Sequence, residues 1–225
     1  MAPGGKAPLR EGPATLQITE IFHSLQGEST RVGLPTVFVR LTGCPLRCVW
    51  CDSAYAFSGG RRMTLAEVLA EVARHDCRHV CVTGGEPLAQ KTCLALLAQL
   101  CDAAYAVSLE TSGALDLAAV DARVVRVVDL KAPASGESAR NRWANIELLR
   151  PQDELKFVLA DEGDYLWARA CLREHRLDAR CAILFAPVQD RLAPADLAAW
   201  ILRDRLPVRF QLQLHKILWG NQPGR

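Results

Sequence analysis

Along this chain, short apolar runs rich in β-branched residues alternate with segments whose apolar positions recur at helical spacing. The runs are Leu16–Phe22, Thr36–Leu41, His79–Thr83, Tyr105–Glu110, Val124–Lys131, Glu154–Ala160, Cys181–Ala186 and Val208–Leu214, each suited in length and makeup to a strand. Between them, Thr64 and Glu67 form a capping box, and Leu65, Val68, Leu69 and Val72 share one helical face. Pro194 suits a first helical position and Asp196 a first turn, while Leu197, Trp200 and Ile201 supply the stripe that packs on a sheet. This alternation predicts an α/β fold, a parallel sheet covered by helices that either closes into a barrel or stays open and twisted. In both cases ligands collect at the carboxyl ends of the strands.

The polar residues fall where that rule expects a site. The third run ends in Thr83 and leads into Gly84, Gly85, Glu86 and Pro87; the next ends in Glu110 before Thr111, Ser112 and Gly113; the next ends in Asp129, Leu130 and Lys131. A single turn of this makeup is ordinary βα chemistry. Several on one rim, beside a loop of cysteines that follows Thr36–Leu41, mark a site.

Composition narrows the function classes. The first fifteen residues are rich in Pro and Gly and read as a tail, leaving 16–225 as one domain. A net charge of +2, spread along 225 residues, makes no case for nucleic acid or an acidic membrane surface. No apolar run suits a signal peptide or a bilayer span, so a cytoplasmic protein is expected. Of nine cysteines, Cys77, Cys81, Cys93, Cys101, Cys171 and Cys181 lie mostly among apolar residues and read as small core side chains.

The other three, Cys44, Cys48 and Cys51, stand in "GCPLRCVWCDS". A cubane iron–sulfur cluster has four iron corners, and three protein thiolates leave one corner open to a substrate or cofactor. Gly43 lets the backbone approach closely and Pro45 stiffens the turn. The competing account from spacing is a zinc ion completed by a distant fourth ligand such as His23, Cys77 or Cys81.

Cys44-x3-Cys48-x2-Cys51 with Trp50, together with "GGEP" at 84–87, resembles the cluster loop and methionine-binding motif of radical S-adenosylmethionine enzymes. More narrowly, "FHSLQGE" at 22–28, "CDS" at 51–53, "TGGEP" from 83, "ETSG" from 110 and "QLHKILWG" from 213 are similar to the 7-carboxy-7-deazaguanine synthase family, over about Glu20–Gly220. The resemblance implies an incomplete radical-SAM β/α barrel and the conversion of 6-carboxy-5,6,7,8-tetrahydropterin into 7-carboxy-7-deazaguanine, with loss of ammonia, for queuosine biosynthesis. It implies a 4Fe–4S cluster on Cys44, Cys48 and Cys51, with Trp50, Asp52, Gly84, Gly85, Glu110, Ser112, Asp129, Leu130 and Lys131 around S-adenosylmethionine. Leu25, Gln26, Gly27, Glu28, Arg40, Thr83, Gln213 and His215 are then the substrate residues, with Arg40 gripping a carboxylate through parallel hydrogen bonds. Magnesium would be held at Ser53, where the family usually has threonine. An external electron donor of the flavodoxin type and a homodimer are further implications. A radical-generating activase that acts on a protein glycine shares the cysteine loop but gives no reason for "LQGE" or "HKILWG".

In "RFQLQLHK" the residues Gln211, Gln213 and His215 alternate with Leu212 and Leu214, predicting a strand with one polar face. Two features depart from the family. Ser29 stands where its "LQGEG" has glycine, and the chain continues beyond the histidine-lysine pair through Ile217 to Arg225, so no contact of a terminal carboxylate is carried over.

Overall fold

The computed structural model describes residues 14–220 and 222–225. Most of the expected tail therefore lies outside the described residues, and Thr15 already belongs to the first strand. Among the described residues nine strands form one sheet: β1 (Thr15–Leu25), β2 (Pro35–Leu41), β3 (Arg61–Thr64), β4 (His79–Gly84), β5 (Ala106–Thr111), β6 (Val125–Leu130), β7 (Glu154–Leu159), β8 (Ala182–Pro187) and β9 (Arg209–Phe210). Their order is β3-β1-β2-β4-β5-β6-β7-β8-β9. From β2 through β4 to β9 neighbours run parallel. β1 is antiparallel to both β2 and β3, an edge the apolar pattern did not predict because "RRMT" carries little of it. The sheet curls but does not close, in keeping with an incomplete barrel.

The helices cover the outside. In α1 (Leu65–Ala73) the capping box forms as expected: Thr64 Oγ1 accepts from Glu67 N at 3.2 Å, and Thr64 N donates to Glu67 Oε2 at 2.7 Å. Val68 and Val72 join Leu96, Leu97 and Leu100 of α2 (Cys93–Asp102) in a core with β1, β2, β4 and β5. A second core packs α3 (Glu162–Glu174) and α4 (Pro194–Asp204) on β6, β7 and β8, with Leu197 and Ile201 buried and Trp200 against it. The crossovers β5–β6 and β6–β7 carry no α-helix; the second passes through short 3-10 turns. Cys81, Cys93, Cys171 and Cys181 are buried as expected, while Cys77 and Cys101 are only half-buried.

The last run is corrected. Only Arg209 and Phe210 pair with β8, and α5 (Leu214–Trp219) begins where the strand was expected to end. Leu214, Ile217 and Leu218 have helical spacing, which overrides the alternation upstream. Gln211 is buried, and Leu212 is the exposed neighbour.

The turn between β1 and β2 reaches the amino ends of β5 and β7: Arg31 Nη1 donates to Ala106 O at 3.1 Å and Thr30 N to Glu154 Oε2 at 2.8 Å. Gln26 N donates to Leu34 O at 2.9 Å and Gly33 N to Gln26 O at 2.8 Å, closing a compact loop. Within it Ser29 has φ +68°, a left-handed conformation that costs an L-residue about 1–2 kcal/mol. That accounts for the family's glycine. Here Gln211 holds the strained backbone, accepting from Ser29 N at 2.9 Å and donating to Ser29 O at 2.7 Å.

Candidate active site

The carboxyl end of β4 is clamped against the cysteine loop by two glycines. Gly84 has φ +144°, and a Cβ there would lie 2.2 Å from Leu41 O; a Cβ at Gly85 would lie 2.2 Å from Gly43 O and 2.9 Å from Cys44 Cβ. Side chains are excluded at both. The resulting contact is hydrogen-bonded, Gly85 N to Leu41 O at 3.1 Å and Glu86 N to Gly43 O at 2.8 Å. Glu86, fully buried, accepts from Ser112 N at 2.7 Å, Ser112 Oγ at 2.5 Å, Thr111 Oγ1 at 2.9 Å and Leu88 N at 3.0 Å. It thereby ties β5 to the same rim. Ser112 caps no helix, since none follows β5; its hydroxyl serves this carboxylate.

The cysteine loop is braced from its other side. Val49 N donates to Ser135 O at 3.0 Å and Arg47 N to Glu137 Oε1 at 2.6 Å, while the Arg47 guanidinium lies 4.3 Å from the Phe57 ring centroid. Cys44, Cys48 and Cys51 are free, half-buried thiols, and all three line a cavity of about 240 Å³ at the rim. Burial raises the pKa of Cys44 and Cys48, and the Lys131 ammonium opposes it at both.

The donor set suits a cubane cluster. Thiolates on one zinc ion, each about 2.3 Å from the metal, crowd within about 4 Å of one another. Among the described residues no three Cys, His, Asp or Glu side chains converge on a single-ion site. The fourth zinc ligands considered above do not reach the cavity: Cys77 Sγ lies 3.2 Å from Pro35 O, His23 packs by His75, and Cys81 is buried in β4.

Across the cavity lie the residues expected to meet substrate. Arg40 Nε donates to Glu20 Oε1 at 2.7 Å, and its guanidinium packs 5.7 Å from the ring centroids of both Phe22 and Tyr55. Tyr55 also donates to Glu20 at 2.7 Å, and burial raises its phenol to about 12. Among the described residues this contact engages only Nε, so the paired terminal nitrogens of Arg40 stay available to a carboxylate. Glu28 accepts from Lys156 Nζ at 2.6 Å and from Gln213 Nε2 at 2.8 Å. Burial would raise the Glu28 pKa, but the ammonium outweighs it and holds the carboxyl below its ordinary value. Glu110 accepts from Thr83 Oγ1 at 3.0 Å and Gln26 Nε2 at 3.2 Å, which links it to residues expected to meet substrate.

Asp52 pairs with Lys216 Nζ at 3.2 Å and accepts from Ser53 Oγ at 2.9 Å. Against the effect of burial, these partners lower its pKa to about 2. His215 packs so closely that a Cβ on Gly27 would lie 2.1 Å from its Nδ1, and Leu214 N donates to Gly27 O at 2.9 Å.

A family model described as "Radical SAM superfamily" matches residues 38–130, from β2 to the end of β6. The 7-carboxy-7-deazaguanine synthase of Chlorobaculum tepidum is 48% identical over 210 residues, covering 92% of this chain and 96% of that one. The synthase of Koribacter versatilis is 46% identical, covering 91% and 97%. The chain belongs to the 7-carboxy-7-deazaguanine synthase family. In fold it resembles the crystal structure of QueE from Escherichia coli, with a TM-score of 0.70 at 22% identity over 89% of this chain and 95% of that one. Family membership extends past the superfamily match, through β7 to α5, where Gln213 and His215 lie.

Every site residue singled out from the sequence lines the cavity except Leu130, whose side chain belongs to the core between β6 and β7. Gln213 and His215 reach it from the turn into α5 rather than from a strand face. Reading the sequence alone missed a number of lining residues, among them Phe22, Tyr55, Lys156 and Lys216. Lys156 did carry a signal, as a lysine in the middle of the apolar run "ELKFVL".

Proposed function

We propose that this chain converts 6-carboxy-5,6,7,8-tetrahydropterin into 7-carboxy-7-deazaguanine and ammonia, a radical carbon–nitrogen lyase step toward queuosine. One observation carries the reading: three free cysteines on a single loop face the same small cavity as Arg40 and the Gln26–Glu28 turn. The bound 4Fe–4S cluster and S-adenosylmethionine would supply a 5′-deoxyadenosyl radical that takes a hydrogen from the pterin. The chain's own residues do the rest by placement. Cys44, Cys48 and Cys51 hold the cluster, and Gly84 and Gly85 open backbone groups to the methionine end of the cofactor. Trp50, Asp52, Asp129 and Lys131 border the remainder.

On the pterin side, Arg40 takes the carboxylate, while Gln26, Glu28, Glu110, Thr83, Gln213 and His215 orient the ring system. Ser53, bonded to Asp52, offers an oxygen to magnesium as the family's threonine would. A cytoplasmic homodimer served by a flavodoxin-type electron donor fits this chemistry; no helix of the described residues is long and apolar enough to cross a membrane.

The test is anaerobic reconstitution followed by mass spectrometry after incubation with the pterin, S-adenosylmethionine and reductant. A product mass matching 7-carboxy-7-deazaguanine, dependent on all three, is expected. Unchanged pterin alongside cleaved S-adenosylmethionine would assign the radical to another substrate.

A further inference from the structure

Lys156 is buried at the centre of β7, yet its side chain faces the cavity. Its Nζ lies 2.6 Å from Glu28 Oε2 and 3.5 Å from Asp129 Oδ2. Asp129 Oδ2 is also held by Lys131 Nζ at 3.0 Å, and Glu28 Oε1 by Gln213. One ammonium thus spans two carboxylates that come from opposite parts of the site, the turn after β1 and the end of β6. We infer that Lys156 is a positioning residue that couples occupancy of the pterin subsite to the seating of S-adenosylmethionine. The inference rests on the synthase reading above, which places Glu28 with the pterin and Asp129 with the cofactor.

The physical argument starts from cost. A buried ammonium loses several kcal/mol of hydration, and an apolar side chain of similar volume often serves stability as well or better. Lysine is also disfavoured in strands. Its three N–H donors, however, can be shared among acceptors and redistributed without moving the backbone. The two contacts are unequal, short to Glu28 and long to Asp129. A pterin that engages Glu28 weakens the short contact and frees the ammonium toward Asp129. That fixes the carboxylate between Lys156 and Lys131 in the orientation the cofactor meets. Linkage makes the effect reciprocal, so each ligand tightens the other. Burial works to lower the Lys156 pKa, but Glu28 and Asp129 hold it well above its ordinary value; it stays charged and acts by position, not by proton transfer.

The test measures S-adenosylmethionine binding to reconstituted protein by equilibrium dialysis without reductant, with and without saturating 6-carboxy-5,6,7,8-tetrahydropterin. In the unsubstituted chain the pterin should tighten binding about tenfold, within the usual range of coupling between sites. In Lys156→Gln the coupling should fall to about twofold or less, with Lys156→Arg restoring part of it because the charge and several donors remain. If Lys156→Gln fails to fold, Glu28→Gln/Lys156→Met removes both charges together and should show the same loss. Full coupling in whichever variant folds, or no coupling in the unsubstituted chain that still converts the pterin, overturns the inference while leaving the synthase reading intact. An unsubstituted chain that neither binds nor converts the pterin overturns both.

Discussion

Two charge networks, one toward each end of the parallel strands, both pair carboxylates with cations and have opposite characters. At the amino ends of β6 and β7, Asp153 accepts from Arg126 N at 2.9 Å, from the Arg126 guanidinium, and from Arg150 N at 2.9 Å. Arg126 also donates to Leu148 O, and Arg150 to Val124 O at 2.8 Å. Every contact of that network is internal, and it lines no part of the cavity. At the other end, Glu28, Lys156, Asp129 and Lys131 are linked less completely and all face the cavity. The first network is a finished knot; the second keeps polar capacity in hand for ligands. Burial and ion pairing alone do not separate a structural charge from a functional one. What separates them is whether donors and acceptors are exhausted inside the protein.

This contrast can be broken most decisively at the cluster. Cys48→Ala should abolish turnover while leaving the melting of the cluster-free chain nearly unchanged, whereas Cys171→Ala, on the buried face of α3, should keep most activity. Equal activity losses, measured as product per reconstituted cluster, would refute the division. Next in size, Asp153→Ala leaves Arg126 buried without its partner and should cost about 3–5 kcal/mol in denaturant unfolding. Pterin affinity of the folded fraction should not change; a large loss of affinity would mean that the two ends communicate.

Arg40→Lys should raise the apparent pterin dissociation constant about tenfold, roughly 1.4 kcal/mol, because lysine cannot offer two parallel donors. Cofactor cleavage rates should move less, and an unchanged dissociation constant would remove Arg40 from carboxylate recognition. The smallest effect is a shared acid sensitivity. Glu28 and Asp153 both have pKa values held below their ordinary 4.5 and 3.8, so the unfolded chain binds their protons more readily than the folded one. Their stabilisation is complete above those ordinary values and is lost as pH falls through the lowered ones. Melting temperature should therefore be insensitive to these two groups above about pH 5 and drop below about pH 4. In Lys156→Gln burial raises the Glu28 pKa, its share of the acid loss disappears, and the onset should move downward. A common onset in both proteins would show that Glu28 does not contribute.

The part of the site carried by contiguous motifs was legible before any coordinates. Cysteine spacing, paired glycines and polar strand ends state their chemistry within a few residues, and their common rim follows from parallel winding. Lys156 was not legible, because its meaning depends on Glu28 and Asp129, which approach it only after β1, β6 and β7 are assembled. The hydrogen bonds of Glu110 to Gln26 and Thr83 were not legible for a related reason: its strand position was clear, but those partners meet it only in the folded chain. The end of the chain was misread where two periods overlap. Gln211, Gln213 and His215 alternate like a strand, while Leu214, Ile217 and Leu218 carry the spacing of the helix that forms.

The turn from Gln26 to Leu34 is tied to the amino ends of β5 and β7 and to the segment after β9. Gln211, Glu154 and Lys156 fasten it, with Thr30 N donating to Glu154 at 2.8 Å. The segment proposed to meet the substrate is thus also a wall of the building. Retuning it for a different heterocycle would loosen the architecture at the same stroke, so divergence toward new substrates should proceed more easily through Arg40 and its aromatic neighbours, which bear no such weight.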